Sequence, residues 1–92
     1  MTPDTTPRST DEAALLELAG TRLPGGVLGT GRYRDEIAFV VKRAQGARLW
    51  DWSGREYIDY LLGSGPLLVG HAHPEVVDAV QRQAALASTF FT

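Results

Sequence analysis

Two stretches with helical spacing of apolar residues flank a middle segment that runs in short apolar and alternating blocks. Leu15, Leu18 and Ala19 share one face of a predicted helix from Asp11 to Ala19, with Leu16 at its flank and Gly20 as its stop. Ser9 and Glu12 have the spacing of a capping box, in which each side chain takes the backbone amide of the other. Asp11 and Glu12 also suit the positive end of the helix dipole. Near the other end, Val76, Val77, Val80 and Ala84 form the apolar face of a second helix, from Pro74 to about Leu86. Pro74 fits its first position, where an amide hydrogen has no partner anyway, and Asp78 pairs with Arg82 one turn on.

Between them, the apolar run Ile37 to Val41 reads as a buried strand and Gln45-Gly46 as a turn. Arg48 to Trp50 is a second strand, and Asp51 to Gly54 a tight turn with Gly54 at positive φ. Glu56 to Tyr60 alternates as a half-buried third strand does. The expected fold class is α+β: an N-terminal helix, a three-stranded antiparallel β-meander and a following helix. Trp50, Trp52, Tyr57 and Tyr60 are its expected packing and cross-strand pairs.

Glycine marks the two interruptions. Leu23 to Arg32 holds four glycines and one proline in ten residues, so 21–36 is read as loop. Such a loop either links two elements or brings backbone amides close to a ligand. Leu61 to Pro66 is a second glycine-rich bend, followed by Leu67, Leu68 and Val69 and then Gly70-His71-Ala72-His73-Pro74. The polar first ten residues read as a disordered lead and 11–92 as one domain. Ala87 to Thr92 leaves the second helix with neither a capping glycine nor a polar tail, an ending expected of an incomplete chain.

The 92 residues are 43% hydrophobic and 22% charged, values of an ordinary globular protein. A formal charge of −2, with no basic stripe, gives no footprint for nucleic acid. No apolar run is long enough to cross a bilayer and no signal-peptide pattern is present, so a soluble cytoplasmic protein without membrane partners is expected. The absence of cysteine excludes a disulfide framework and thiolate metal sites. His71 and His73 supply too few ligands for zinc, and no metal site is assigned; a structural turn with imidazoles bonded to backbone is the reading. Ser64, in Gly63-Ser64-Gly65, lacks the first glycine of a nucleophile elbow, because Leu62 occupies it. Lys42 is the only lysine and reads as a solvated strand-end charge. Arg32 stands in the first glycine-rich loop, where a guanidinium can clamp a carboxylate through two parallel hydrogen bonds.

Four segments taken in order resemble the start of the class III, fold-type I aminotransferases, and among them the glutamate-1-semialdehyde aminomutases. They are Pro24 to Val27; Gly46 to Asp51 with Gly54 to Tyr60; Gly65-Pro66 with Gly70 to Pro74; and Ser88 to Phe90. The resemblance implies part of the small domain of a homodimeric enzyme that carries pyridoxal 5'-phosphate as an electron sink. The substrate would be a small amino acid, keto acid or semialdehyde, between or within which an amino group moves. Arg32 stands where the aminomutases place the arginine that binds the substrate carboxylate. Ser64 and Gly65 fall where the family's bend approaches the cofactor pocket.

Two departures favour an aminomutase-like aminotransferase over a tetrapyrrole-pathway aminomutase. Ser64 replaces a tryptophan common in true aminomutases, and Leu28-Gly29-Thr30-Gly31 replaces their Asn-Ser-Pro-Val or similar run. The family's phosphate grip, pyridine-nitrogen aspartate and Schiff-base lysine have no match here, and Lys42 is not that lysine. By itself the segment is therefore expected to be inactive and to need the rest of the enzyme chain. A non-catalytic β/α interaction module is the competing reading.

Overall fold

The computed structural model describes residues 6–27 and 34–89. Helix α1 is Thr10–Arg22, followed by a 3₁₀ turn at Pro24–Gly26. Strands β1 (Val41–Gln45), β2 (Arg48–Asp51) and β3 (Glu56–Ile58) form one antiparallel sheet in that order, and helix α2 is Pro74–Ala84. This is the α+β meander expected from the sequence.

The boundaries show which local forces won. Helix α1 runs straight through Gly20 and stops at Leu23, whose backbone is extended (φ −117°, ψ 136°) while its amide still donates to the Ala19 carbonyl at 2.9 Å. The stop is set by Pro24, because a proline ring clashes with a helical residue before it. The apolar run Ile37 to Val41 is not the first strand. The Ile37 and Ala38 amides both donate to the Arg34 carbonyl at 2.9 Å, closing a turn, and Ile37 is 54% exposed. Strand pairing begins only at Val41, opposite Asp51, and shifts register before Arg43 meets Trp50.

Strand β3 is likewise shorter than its alternation suggested. It pairs Glu56 with Trp50 and Ile58 with Arg48, then ends. Tyr60 is 93% exposed among the described residues, so its expected packing role is absent. Trp50 and Trp52 do carry cross-strand contacts, but with cations. Arg43 lies 3.5 Å over the Trp50 ring and Lys42 4.7 Å from the Trp52 centroid. Helix α2 begins at Pro74 as its ring geometry requires, and Asp78 pairs with Arg82. The expected lead falls partly outside the described residues. From Arg8 onward the chain is tied down, with the Arg8 guanidinium donating to the Asp35 and Ala38 carbonyls at 2.8 and 2.7 Å.

Burial is unusual. Among the described residues no hydrophobic side chain is fully buried, while two carboxylates are: Glu12 at 0% and Asp51 at 1% exposure. Val76, Val77 and Val80 of α2 all lie open. The radius of gyration is 16.0 Å, against about 12 Å for a compact chain of this length.

Beyond β3 the chain returns to the sheet at a single point. His71 and Gly46 exchange two backbone hydrogen bonds, both 2.9 Å. Gly70, at φ +82°, sits so close that a β-carbon there would lie 2.9 Å from the Gly46 Cα. Gly70→Ala is therefore expected to cost roughly 2–4 kcal/mol, because neither backbone can yield. Gly25 also has positive φ (+68°) but faces open space, so Gly25→Ala is expected to cost only about 1 kcal/mol. Urea denaturation of the two variants in the full-length protein measures the difference.

Candidate functional site

The described residues hold two polar constellations, one at each side of the sheet's turns. The first is built on the two buried carboxylates. Asp51, at the end of β2, accepts from the Arg55 amide, the Arg55 Nε and the Tyr57 hydroxyl, each at 2.8 Å. Glu12 accepts from the Val40 amide at 2.7 Å, from the Ser53 hydroxyl, and from Arg55 Nη2 at 3.5 Å. Arg55 thus stands between the two acids, and Ser53 also takes the Ser9 amide at 2.8 Å.

This arrangement modifies the expected capping box. The Ser9 hydroxyl does accept from the Glu12 amide at 3.2 Å, but the Glu12 carboxylate reaches across to β1's approach and the Ser53 turn. A solvent-exposed cap has become a buried tie between α1 and the sheet. The Phe39 ring covers Tyr57 in a stack with centroids 4.6 Å apart.

The environment biases both titrating partners. Burial pushes the Asp51 carboxyl up, but the hydrogen bonds from Tyr57 and from the Arg55 amide and guanidinium outweigh it and leave it below the ordinary value. Burial and the bond to Asp51 push the Tyr57 phenol up to about 12.

The second constellation closes the bend between β3 and α2. One Asp59 oxygen, Oδ1, accepts from the Leu61 and Leu62 amides at 2.8 and 3.0 Å, and Oδ2 meets His71 Nε2 at 2.5 Å. The pair with His71, then the Leu62 amide, hold the Asp59 carboxyl below its usual range against slight desolvation. Ser64 and Gly65 project from this bend and are exposed, with φ of +70° and +107°. The His71 imidazole therefore bonds a carboxylate rather than backbone, and the buried His73 Nδ1 has no hydrogen-bond partner among the described residues. No group of three or more potential metal ligands occurs among the described residues. Nor is any described helix long and apolar enough to cross a membrane.

Arg32, assigned from the sequence to a substrate carboxylate, lies outside the described residues. Val27, the last described residue before that segment, lines a hollow of about 670 Å³ with Leu16, Leu23, Phe39 and Val40. Lys42 is exposed and engaged with Trp52. The acid pair Glu12 and Asp51 went unforeseen as a unit. Its sequence signal was weak, since only Asp51 and Arg55 are local neighbours and Glu12 arrives from another element.

Residues 30–91 match the model of the family described as Aminotransferase class-III. The chain belongs to that family. Among its relatives, the glutamate-1-semialdehyde 2,1-aminomutase of Sorangium cellulosum (strain So ce56) is 45% identical over 91% of this chain and 20% of its own length. Among solved structures, an omega-transaminase from Sphaerobacter thermophilus superposes with a TM-score of 0.76 at 36% identity, over 91% of this chain and 19% of that one. A transaminase with PLP bound gives a TM-score of 0.75 at 38% identity, over 87% of this chain and 19% of that one. The chain thus spans about a fifth of the length of the relatives it matches.

The described residues do not by themselves fit pyridoxal phosphate. The chain's only lysine is exposed and held over the Trp52 ring, away from any imine partner.

Truncating Glu12→Ala strands the Val40 amide and removes one partner of Arg55. A loss of about 2–3 kcal/mol is expected in denaturant unfolding of the full-length protein, limited by the solvent that reaches Arg55. Tyr57 gives a second expectation. Its folded pKa is raised, so its contribution is complete below the unfolded value near 10 and fades as pH climbs to about 12. Absorbance titration should show a phenol ionising at about 12 that Tyr57→Phe removes.

Proposed function

We propose that this chain supplies the substrate-facing N-terminal part of a pyridoxal-phosphate-dependent class III aminotransferase, similar to the glutamate-1-semialdehyde aminomutases. The observation that carries the reading is that the family match over 30–91 contains Arg32, Ser64 and Gly65 together. The cofactor is held by parts of the complete protein other than these residues, and the names of the relatives support both the cofactor and the amino-transfer chemistry.

In this reading Arg32 binds the carboxylate of an amino acid, keto acid or semialdehyde, its planar fork fixing orientation as well as charge. Orientation matters because a reacting carbon held in place converts an encounter into an intramolecular step. The Ser64–Gly65 bend borders the cofactor pocket and offers the Ser64 hydroxyl there. The complete protein is proposed to work as a cytoplasmic homodimer. The exposed valines of α2 fit a surface that other parts of that protein cover. They are also what a free-standing interaction module would display, so activity of the full-length protein separates the two readings.

Arg32→Ala in the full-length enzyme is expected to raise KM for carboxylate-bearing donors about a hundredfold. The same change should leave KM for an amine without a carboxylate nearly unchanged. Equal KM values for the carboxylate donor in both proteins would remove Arg32 from the site. Lys42→Ala is expected to retain full activity in the same assay.

A further inference from the structure

We infer that His71 is a positioning residue: through Asp59 it fixes the conformation in which the Ser64–Gly65 bend borders the cofactor pocket, where the substrate reacts. The inference rests on the reading of that bend given above. Its physical basis is the way the bend is closed. The chain leaves the sheet at Asp59, whose amide donates to the Ala47 carbonyl at 2.8 Å, and returns at His71, which pairs with Gly46. Both ends of the loop are thus pinned to one point, the turn between β1 and β2. Across this neck the Asp59 carboxylate and the His71 imidazole join at 2.5 Å. A carboxylate only accepts, so Nε2 carries the proton.

From the neck, the hydrogen bonding passes outward through Asp59. Its second oxygen holds the Leu61 and Leu62 amides. The carbonyls of those two residues then accept the remaining bonds of the tip: the Ser64 amide at 3.0 Å, the Gly65 amide at 3.2 Å from each, and the Leu67 amide at 3.3 Å. Leu62, Gly63, Ser64 and Gly65 all have positive φ, at 49°, 66°, 70° and 107°. Leu62 and Ser64 adopt that region at a cost, so the conformation persists only where its surroundings over-determine it. Among the described residues, Asp59 supplies the side-chain hydrogen bonds to the amides at the start of the tip, and His71 is its side-chain partner across the neck. No glycine substitutes for this role, since glycine permits the backbone shape without selecting it.

A clasp that merely held the fold together would lower stability when cut and leave binding alone; a positioning clasp alters the tip selectively. The test uses the full-length enzyme with His71→Ala, His71→Gln and Asp59→Asn. In His71→Ala, amide hydrogen exchange over 61–65 should rise about tenfold while the β1–β2 ladder keeps its protection. KM for the amino donor should rise about tenfold, with kcat moving much less. His71→Gln, which keeps a donating N–H, should recover most of both effects. Asp59→Asn retains an acceptor for Leu61 and Leu62 and gives the same readouts if His71→Ala does not fold. Unchanged exchange over 61–65 in both His71→Ala and Asp59→Asn would overturn the clasp. Faster exchange with unchanged KM leaves the clasp standing and sinks the reading that this bend borders the cofactor pocket, and with it the positioning role.

Discussion

Two acids withdrawn from water hold this chain in shape. Glu12 and Asp51 are the only fully buried described side chains, and an unpaired charge in that setting is too costly to persist. Arg55 stands between them, Tyr57 and Ser53 fill remaining acceptor sites, and backbone amides take the rest. Because hydrogen bonds have direction and hydrophobic contacts do not, this centre specifies one placement of α1 on the sheet. Apolar area alone could not, since no described hydrophobic side chain is fully buried.

The same sheet organises the opposite end. The turn between β1 and β2 serves as an anchor point for Asp59 and His71, so the glycine-rich bend emerges from a rigid base although its own backbone is unfavourable. Polar closure recurs at both ends: Asp51 with Arg55 on one side, Asp59 with His71 on the other. In each case a carboxylate near the end of a strand gathers the amides of the following turn and also binds a cation-forming side chain. That economy lets short strands carry long loops.

Family membership gives these loops their meaning. Residues 30–91 carry the class III match and include Arg32, Ser64 and Gly65, the residues proposed for substrate and cofactor approach. Lys42, the chain's lysine, is exposed and held over Trp52. The valines along α2 are exposed, and the chain spans about a fifth of the length of the relatives it matches.

Local chemistry made much of this legible in advance. Pro74 opened α2, Gly54 took positive φ in its turn, Asp78 met Arg82, and the three-stranded meander followed from turn residues and alternation. The ordered segments from Pro24 to Phe90 identified the family without any contact being known. Other features escaped because they depend on partners distant in sequence. The strand start moved from Ile37 to Val41 because the Arg34 carbonyl claimed two amides first, and α1 passed Gly20 because Pro24 governed its end. Glu12 looked like half of a surface cap until Val40 and Ser53 were brought to it, and His71 looked like a turn residue until Asp59 faced it. Sequence sets what each residue offers within a few positions of itself. Only the folded chain decides which buried acid meets which donor, because that pairing is set by desolvation across the whole assembly.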